Sequence, residues 1–263
     1  MVDLPTISAG NGPDVVLVHG AVGDRRQWDP IAAALAPRFR THAVSRRHHW
    51  PAPMPARGER YTYDLHRDDV LALMDALPGP VHLVGHSYGA GVVLLVALHA
   101  PQRVRTLTLI EPPFGSLLPE AGVGLADEKA TRATALARVR ALVDAERHTE
   151  AAEVFIDWVQ GGDGGFARLG EAARQVVHDN AATLGPTIAG SQPDVSPAVL
   201  RGLRVPTQVV TGDRTRGYYR LIADVTATAI HGARIAKLPG CGHMTIVESP
   251  AETAAILDRF LAG

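Results

Sequence analysis

Segments rich in β-branched residues alternate with segments of helical periodicity along most of this 263-residue chain. The β-type segments predict strands at residues 14–18, 41–45, 81–84, 104–110, 207–211 and 233–238. The apolar spacing between them predicts helices at residues 28–36, 63–77, 88–98, 218–230 and 250–261. Because strands joined by helices usually pair in parallel, we expect an α/β fold with a doubly wound, mostly parallel sheet.

The alternation is interrupted once, after Glu111-Pro112-Pro113, and resumes near Val205-Pro206. The intervening residues carry only helical signals, which predict helices at residues 127–147, 149–160 and 166–184, with a break at the glycine-rich run 161–165. We therefore predict a core formed by residues 1–111 and 205–263, and an inserted helical cap formed by residues 112–204.

Composition and charge narrow the classes of partner. Hydrophobic residues make up 46% of the chain, and 26 basic residues nearly balance 27 acidic ones, so no bulk charge attracts nucleic acid. No apolar run approaches the roughly 20 residues of a membrane span, and the first residues lack the pattern of a signal peptide. The single cysteine excludes an internal disulfide. We expect a cytoplasmic protein that acts on small molecules, with no cofactor, metal, nucleic acid or membrane partner; its oligomeric state is left open.

A G-x-S-x-G sequence, residues 85–89, lies between a predicted strand and a predicted helix. In that context the serine occupies a strained turn, and the two flanking glycines leave room for it. We interpret Ser87 as a nucleophile, against the alternative of an ordinary strand-to-helix turn. The backbone N–H groups of Tyr88 and of Ala21, which follows His19-Gly20 after an earlier strand, are the predicted oxyanion hole. The His19 side chain itself is expected to be buried and hydrogen-bonded.

A serine nucleophile needs a histidine base and an acid that orients the histidine. His243 is the leading base because it lies in a glycine-rich loop between the last predicted strand and the last helix. The order of His19-Gly20, the motif at 85–89 and Gly242-His243 resembles the α/β-hydrolase superfamily over nearly the whole chain. That resemblance implies a serine hydrolase with the α/β-hydrolase fold and a helical cap.

The acid departs from the commonest pattern of that superfamily, in which a Gly-x-x-Asp sequence follows the strand after the cap. Here Gly212-Asp213-Arg214-Thr215 has threonine at the acid position. A minority of the superfamily carries the acid one strand earlier, where this chain has Glu111. We predict Glu111 as the acid, with Asp213 as the alternative. These two features also resemble the fungal zearalenone lactonases, which implies lactone opening as a possible activity.

The main functional hypothesis is hydrolysis of a carboxylic ester or lactone of a small, largely apolar molecule through an acyl-enzyme. Carbon–carbon bond hydrolysis, perhydrolysis and lyase chemistry remain alternatives, as does a non-catalytic ligand-binding protein. Trp158, on a predicted cap helix, is a candidate substrate contact. Residues 46–51, with the sequence RRHHWP, are expected at the pocket rim, and His48 and His49 are expected to be solvated or hydrogen-bonded rather than metal ligands.

Overall fold

The central element is a seven-stranded sheet in the computed structural model, which describes residues 4–52, 60–118, 125–190 and 193–263. The strands are β1 (Thr6–Ala9), β2 (Asp14–Val18), β3 (Arg40–Val44), β4 (Val81–His86), β5 (Val104–Ile110), β6 (Thr207–Gly212) and β7 (Arg234–Leu238). Their order is β1-β3-β2-β4-β5-β6-β7. Only β1 is antiparallel to its neighbour among these pairs. The predicted doubly wound, mostly parallel sheet is confirmed.

Helices cover both faces of the sheet. The α-helices are α1 (Asp29–Leu35), α2 (Tyr63–Asp75), α3 (Tyr88–His99), α4 (Leu125–Asp144), α5 (His148–Val159), α6 (Glu171–Asp179), α7 (Leu184–Ala189), α8 (Pro197–Gly202), α9 (Gly217–Ala229), α10 (Thr245–Glu248) and α11 (Pro250–Leu261). One face packs against α1 and α11, and the other packs against α2, α3 and α9. None of the helices in the described ranges is long and apolar enough to cross a membrane.

Burial on both faces explains the composition of the central strands. All six residues of β4 and all five of β2 are buried, so neither strand alternates between buried and exposed residues. The parallel register aligns the carboxyl ends of neighbouring strands, so that Gly85 lies opposite Val18 on one side and Leu109 on the other. Residues that directly follow β2, β4, β5 and β6 therefore meet at one edge of the sheet.

Helices α4 to α8 fill the segment between β5 and β6, as the sequence predicts. The single helix expected over residues 166–184 is wrong, because α6 spans only Glu171–Asp179. It begins after Gly170, whose backbone is extended, and it ends before Asn180. The Asn180 side chain is held by distant partners, donating to Asp24 at 2.7 Å and accepting from the Trp50 backbone N–H at 2.8 Å. The division into core and cap at residues 111 and 205 stays a prediction.

Candidate active site

Ser87 occupies a sharp turn between β4 and α3. Its φ is 50° and its ψ is −118°, a conformation that a non-glycine residue rarely adopts. A Cβ atom at Gly89 would overlap the carbonyl oxygen of Val18, and one at Gly85 would overlap that of Gly89. The Ser87 backbone N–H donates to the carbonyl of Ile110 at 2.8 Å. The flanking glycines thus allow α3 to start against β2, and this close packing holds the serine in its strained geometry.

His243 joins Ser87 to Glu111 by two hydrogen bonds. Its Nε2 lies 2.9 Å from the Ser87 Oγ, and its Nδ1 lies 3.1 Å from Oε2 of Glu111. All three side chains are buried. Because a carboxylate can only accept, Nδ1 carries the proton and Nε2 is left to accept the serine proton. The structure therefore brings the three predicted residues together in the order that proton removal from the serine requires.

Glu111 accepts three further hydrogen bonds besides that of His243. The Thr211 hydroxyl and the Gly212 N–H each lie 2.7 Å from Oε1, and the Thr215 hydroxyl lies 2.8 Å from Oε2. Four donors on two oxygens is the environment of an ionised carboxylate. Thr215 occupies the position where most of the superfamily carries the acid. Here its hydroxyl donates to Glu111 and orients that carboxylate.

Asp213, the alternative acid, is not next to His243. It is exposed, and its Oδ1 accepts a hydrogen bond from the Gly240 N–H at 2.7 Å. The Asp213 carboxylate therefore binds the backbone of the loop that carries His243 and stabilises the turn there. It does not contact the imidazole, which is hydrogen-bonded to Glu111.

Ala21 and Tyr88, the predicted oxyanion donors, line the same cavity as Ser87. Within the described ranges, neither backbone N–H donates to another protein group. The loop before Ala21 lies close to the serine, since a Cβ at Gly20 would be 3.2 Å from the Ser87 Cβ. Two free amides beside the nucleophile are suited to binding an oxyanion.

The Gly20 carbonyl is anchored from behind the cavity. It accepts from Arg46 Nη2 at 2.9 Å and from His19 Nδ1 at 2.8 Å. In a trans peptide the C=O and the following N–H point in opposite directions, so this anchor turns the Ala21 N–H away from Arg46. As expected, His19 is fully buried and hydrogen-bonded; its Nε2 also accepts from the Arg46 backbone N–H.

Arg46 is buried beneath the site, at 1% exposure, and the hydrogen bonds of its side chain among the described residues go to the Tyr61 hydroxyl and the Gly20 carbonyl. Its guanidinium donates to the Tyr61 hydroxyl at 2.9 Å and lies 4.2 Å from the centre of the Tyr88 ring. Burial, with the charge of Arg46 as the next cause, holds the pKa of His19 and of His49 well below the usual value. Residues 46–51, which the sequence analysis expects at the pocket rim, are not among the residues that line the cavity, and Arg46 packs behind the loop at Gly20 instead.

The pair His48-His49 is used in packing and hydrogen bonding. His49 contacts the Gly23 carbonyl at 2.6 Å and the Tyr61 hydroxyl at 2.7 Å, and His48 stacks on the Tyr61 ring. In the part of the chain that the structure describes, no three His, Cys, Asp or Glu side chains are grouped so as to hold a metal ion.

His86 supports the base from the neighbouring position. Its Nε2 donates to the backbone carbonyl of His243 at 2.9 Å, which ties the base loop to the end of β4. Burial, together with the nearby His243, lowers the pKa of His86 to about 3, so its imidazole stays neutral at ordinary pH. The Tyr219 ring covers the other side, with its centre 4.0 Å from that of His243.

A cavity of about 250 Å³ opens above Ser87. Trp158 lines it, as the sequence predicts for this residue, next to the apolar side chains of Leu136 and Phe155. Seven polar or aromatic lining residues in the described ranges were not predicted from the sequence, and they are Tyr63, Arg132, Arg140, Phe155, Thr187, Tyr218 and Tyr219. The spacing of Arg132 and Arg140 indicates that they share one face of a helix. It does not indicate that this face borders the cavity.

Comparison with known proteins gives the same overall picture. A model described as the alpha/beta hydrolase family matches residues 15–256. A hydrolase structure from Pseudomonas aeruginosa superimposes with a TM-score of 0.77 at 25% identity, over 99% of this chain and 94% of that one. Carboxylesterase YbfK of Bacillus subtilis is 25% identical over 96% of this chain and 81% of its own length.

A shorter match is found to the pimeloyl-[acyl-carrier protein] methyl ester esterase of Nitrosomonas europaea. The two sequences are 34% identical over 105 residues, which is 39% of this chain. The match spans 38% of the length of that esterase.

Proposed function

We propose that this chain, which belongs to the alpha/beta hydrolase family, hydrolyses carboxylic esters of small molecules through an acyl-enzyme on Ser87. The observation that carries the proposal is the unbroken hydrogen-bond chain from Ser87 through His243 to Glu111. Two of its relatives, carboxylesterase YbfK and the Nitrosomonas methyl ester esterase, are named for ester hydrolysis, which supports the same reaction class.

In the proposed mechanism, His243 Nε2 takes the proton of Ser87 as the serine oxygen attacks the ester carbonyl. The Ala21 and Tyr88 N–H groups donate to the oxyanion of the tetrahedral intermediate. Glu111 stabilises the imidazolium that forms. Collapse of the intermediate transfers the proton to the departing alcohol and leaves an acyl-serine, which water then attacks with His243 again as the base.

Cavity size bears on the choice between open-chain esters and lactones. The two reactions share every step, since a lactone is an ester whose alcohol stays tethered to the acyl group. The cavity volume of about 250 Å³ is smaller than the roughly 300–1,000 Å³ that is typical of ligand pockets. This volume favours a small ester or a small-ring lactone over a macrocycle of the kind opened by the zearalenone lactonases.

A fluorophosphonate probe and a set of p-nitrophenyl esters test the proposal together. We expect stoichiometric labelling of Ser87, loss of labelling in Ser87→Ala, and a fall in ester turnover of at least about 10⁴-fold in Ser87→Ala and His243→Ala. Acyl chains of increasing length and several lactones, assayed in parallel, define the preferred substrate. Ligand-induced thermal stabilisation with no labelling and no turnover would instead identify a non-catalytic binding protein.

A further inference from the structure

One face of α4 borders the catalytic cavity with two arginines. Arg132, Leu136 and Arg140 all line it, and their spacing of four residues places them on the same side of the helix. At 1.5 Å of rise per residue, the two arginines are about 12 Å apart along the helix axis. Arg132 is half-buried, whereas Arg140 is exposed. The wall facing Ser87 is therefore apolar in the middle and basic at both ends.

Neither of these arginines has a carboxylate partner within the described ranges. Other arginines do pair with Asp or Glu, and they are Arg26, Arg38, Arg47, Arg67, Arg103, Arg147 and Arg216. The Arg132 guanidinium instead lies 5.5 Å from the centre of the Tyr218 ring. No Asp or Glu is among the described residues that line the cavity. Among the described residues that line the cavity, these two positive charges therefore have no carboxylate beside them.

We propose that the substrate carries an ionised carboxylate in addition to its ester group, and that Arg132 binds this carboxylate while Arg140 adds its positive charge from the other end of the wall. This inference rests on the proposed function, because it concerns the substrate of that same site. A guanidinium presents a planar pair of donors that matches a carboxylate, and its charge counts for more where water is partly excluded. Arg132, the less exposed of the two, supplies the stronger contact, and Arg140 acts nearer to solvent.

The geometry favours one class of such esters. A carboxylate held by the basic wall and an ester carbonyl held at Ser87 must belong to the same molecule, and Leu136 lies between the arginines. A short methylene chain fits both the apolar middle of the wall and the small cavity volume. The substrate class is therefore the monoester of a short dicarboxylic acid, which the enzyme converts with water to the dicarboxylate and an alcohol.

Two ethyl esters of nearly equal shape test this assignment. Monoethyl adipate carries the terminal carboxylate, and ethyl adipamate replaces it with a neutral carboxamide. For the wild-type enzyme we expect kcat/KM to be at least about 10-fold higher for the anionic ester, the size of one charge-assisted contact. In Arg132→Met combined with Arg140→Met, the ratio falls to near one. In Arg132→Lys, which keeps the charge but not the planar pair of donors, it lies in between.

Arg138→Met is the matched control, since Arg138 is exposed on the same helix and does not line the catalytic cavity. It should retain the wild-type ratio. Fluorophosphonate labelling of every variant reports whether the site is folded. A wild-type ratio near one with normal labelling overturns this inference and leaves the proposed function standing. Absence of both labelling and turnover overturns the two together.

Discussion

Among individual residues, two members of the hydrogen-bonded group Ser87–His243–Glu111 have an unusual backbone conformation. Ser87 and Glu111 each have φ near +50°, directly after adjacent strands β4 and β5. The ladder continues through both turns, since Ser87 N–H donates to Ile110 and Glu111 N–H donates to Val210, each at 2.8 Å. Such strain persists only where surrounding contacts enforce it, and both turns aim a side chain at His243.

Replacing Glu111 by Gln keeps the shape but exchanges one acceptor oxygen for a donor. The new amide NH2 group would face N–H and O–H donors that lose their acceptor oxygen. The neutral amide also no longer stabilises the imidazolium. We expect kcat to fall by about 10³–10⁴-fold, measured on the best p-nitrophenyl ester.

Asp213→Asn is the paired control, because this carboxylate caps the Gly240 N–H and does not touch His243. Its activity should stay within about threefold of the wild type, an effect of less than about 0.7 kcal/mol. Equal losses in the two variants, with circular dichroism unchanged, would remove Glu111 from the proposed role.

At the scale of the elements, the elbow depends on the contact between α3 and β2. A methyl group at Gly89 would meet the backbone carbonyls of Val18 and His19, neither of which can move without disturbing the central sheet. The same contact positions the Tyr88 N–H beside the loop that carries Ala21. Stability and the geometry of the proposed oxyanion donors are therefore linked at Gly89.

We expect Gly89→Ala to lower the free energy of unfolding by about 1–3 kcal/mol and to reduce ester turnover, because the new Cβ forces α3 away from β2. Urea denaturation and steady-state kinetics measure the two effects. Gly202→Ala is a suitable comparison, since Gly202 lies at the end of α8 with no atom within 4 Å of an added Cβ. It should leave both properties unchanged or raise stability slightly. A Gly89→Ala enzyme as stable as wild type would contradict the close packing described.

For the whole molecule, buried neutral histidines determine the response to acid. Burial holds the pKa of His19, His49 and His66 well below the usual 6.5 and lowers that of His82 to about 4 and that of His86 to about 3. The folded chain excludes these protons, whereas the unfolded chain binds them below pH 6.5. Protons therefore favour the unfolded state in this range, and stability falls as the pH decreases.

Each such histidine removes about 1.4 kcal/mol of stability per pH unit once the pH is well below its unfolded pKa, so five together remove about 7 kcal/mol per unit. Because a domain has a total stability of about 5–15 kcal/mol, we expect cooperative unfolding between about pH 6 and 4.5. Urea midpoints at pH 8, 7, 6 and 5.5 measure the slope.

His82→Gln should reduce that slope by about a fifth, since His82 contacts the Thr106 hydroxyl on β5, away from the cavity. Stability that stays constant between pH 7 and pH 5 would contradict the neutral, buried state of these histidines.

Local patterns in the sequence predicted the sheet, the strained turn at Ser87 and the place of His243 in a loop between a strand and a helix. Strand and helix periodicity, and the glycines around Ser87 and before His243, are local patterns, because each depends on neighbours within a few residues. The place of Glu111 directly after a strand is also local, whereas its predicted role as the acid came from the resemblance to a minority of the superfamily. The expected helix over residues 166–184 failed because Asn180, near its end, contacts Asp24 and Trp50, far away in the chain.

The surroundings of these residues depend on contacts between distant segments of the chain. Arg46 donates to the Gly20 carbonyl because β3, which precedes it, packs beside β2, and Thr215 faces Glu111 because β5 and β6 are neighbours. The direction of the Arg132 and Arg140 face likewise depends on how α4 lies over the sheet. Periodicity identifies which residues share a face, but burial and pairing are set by contacts between segments that the chain brings together only on folding.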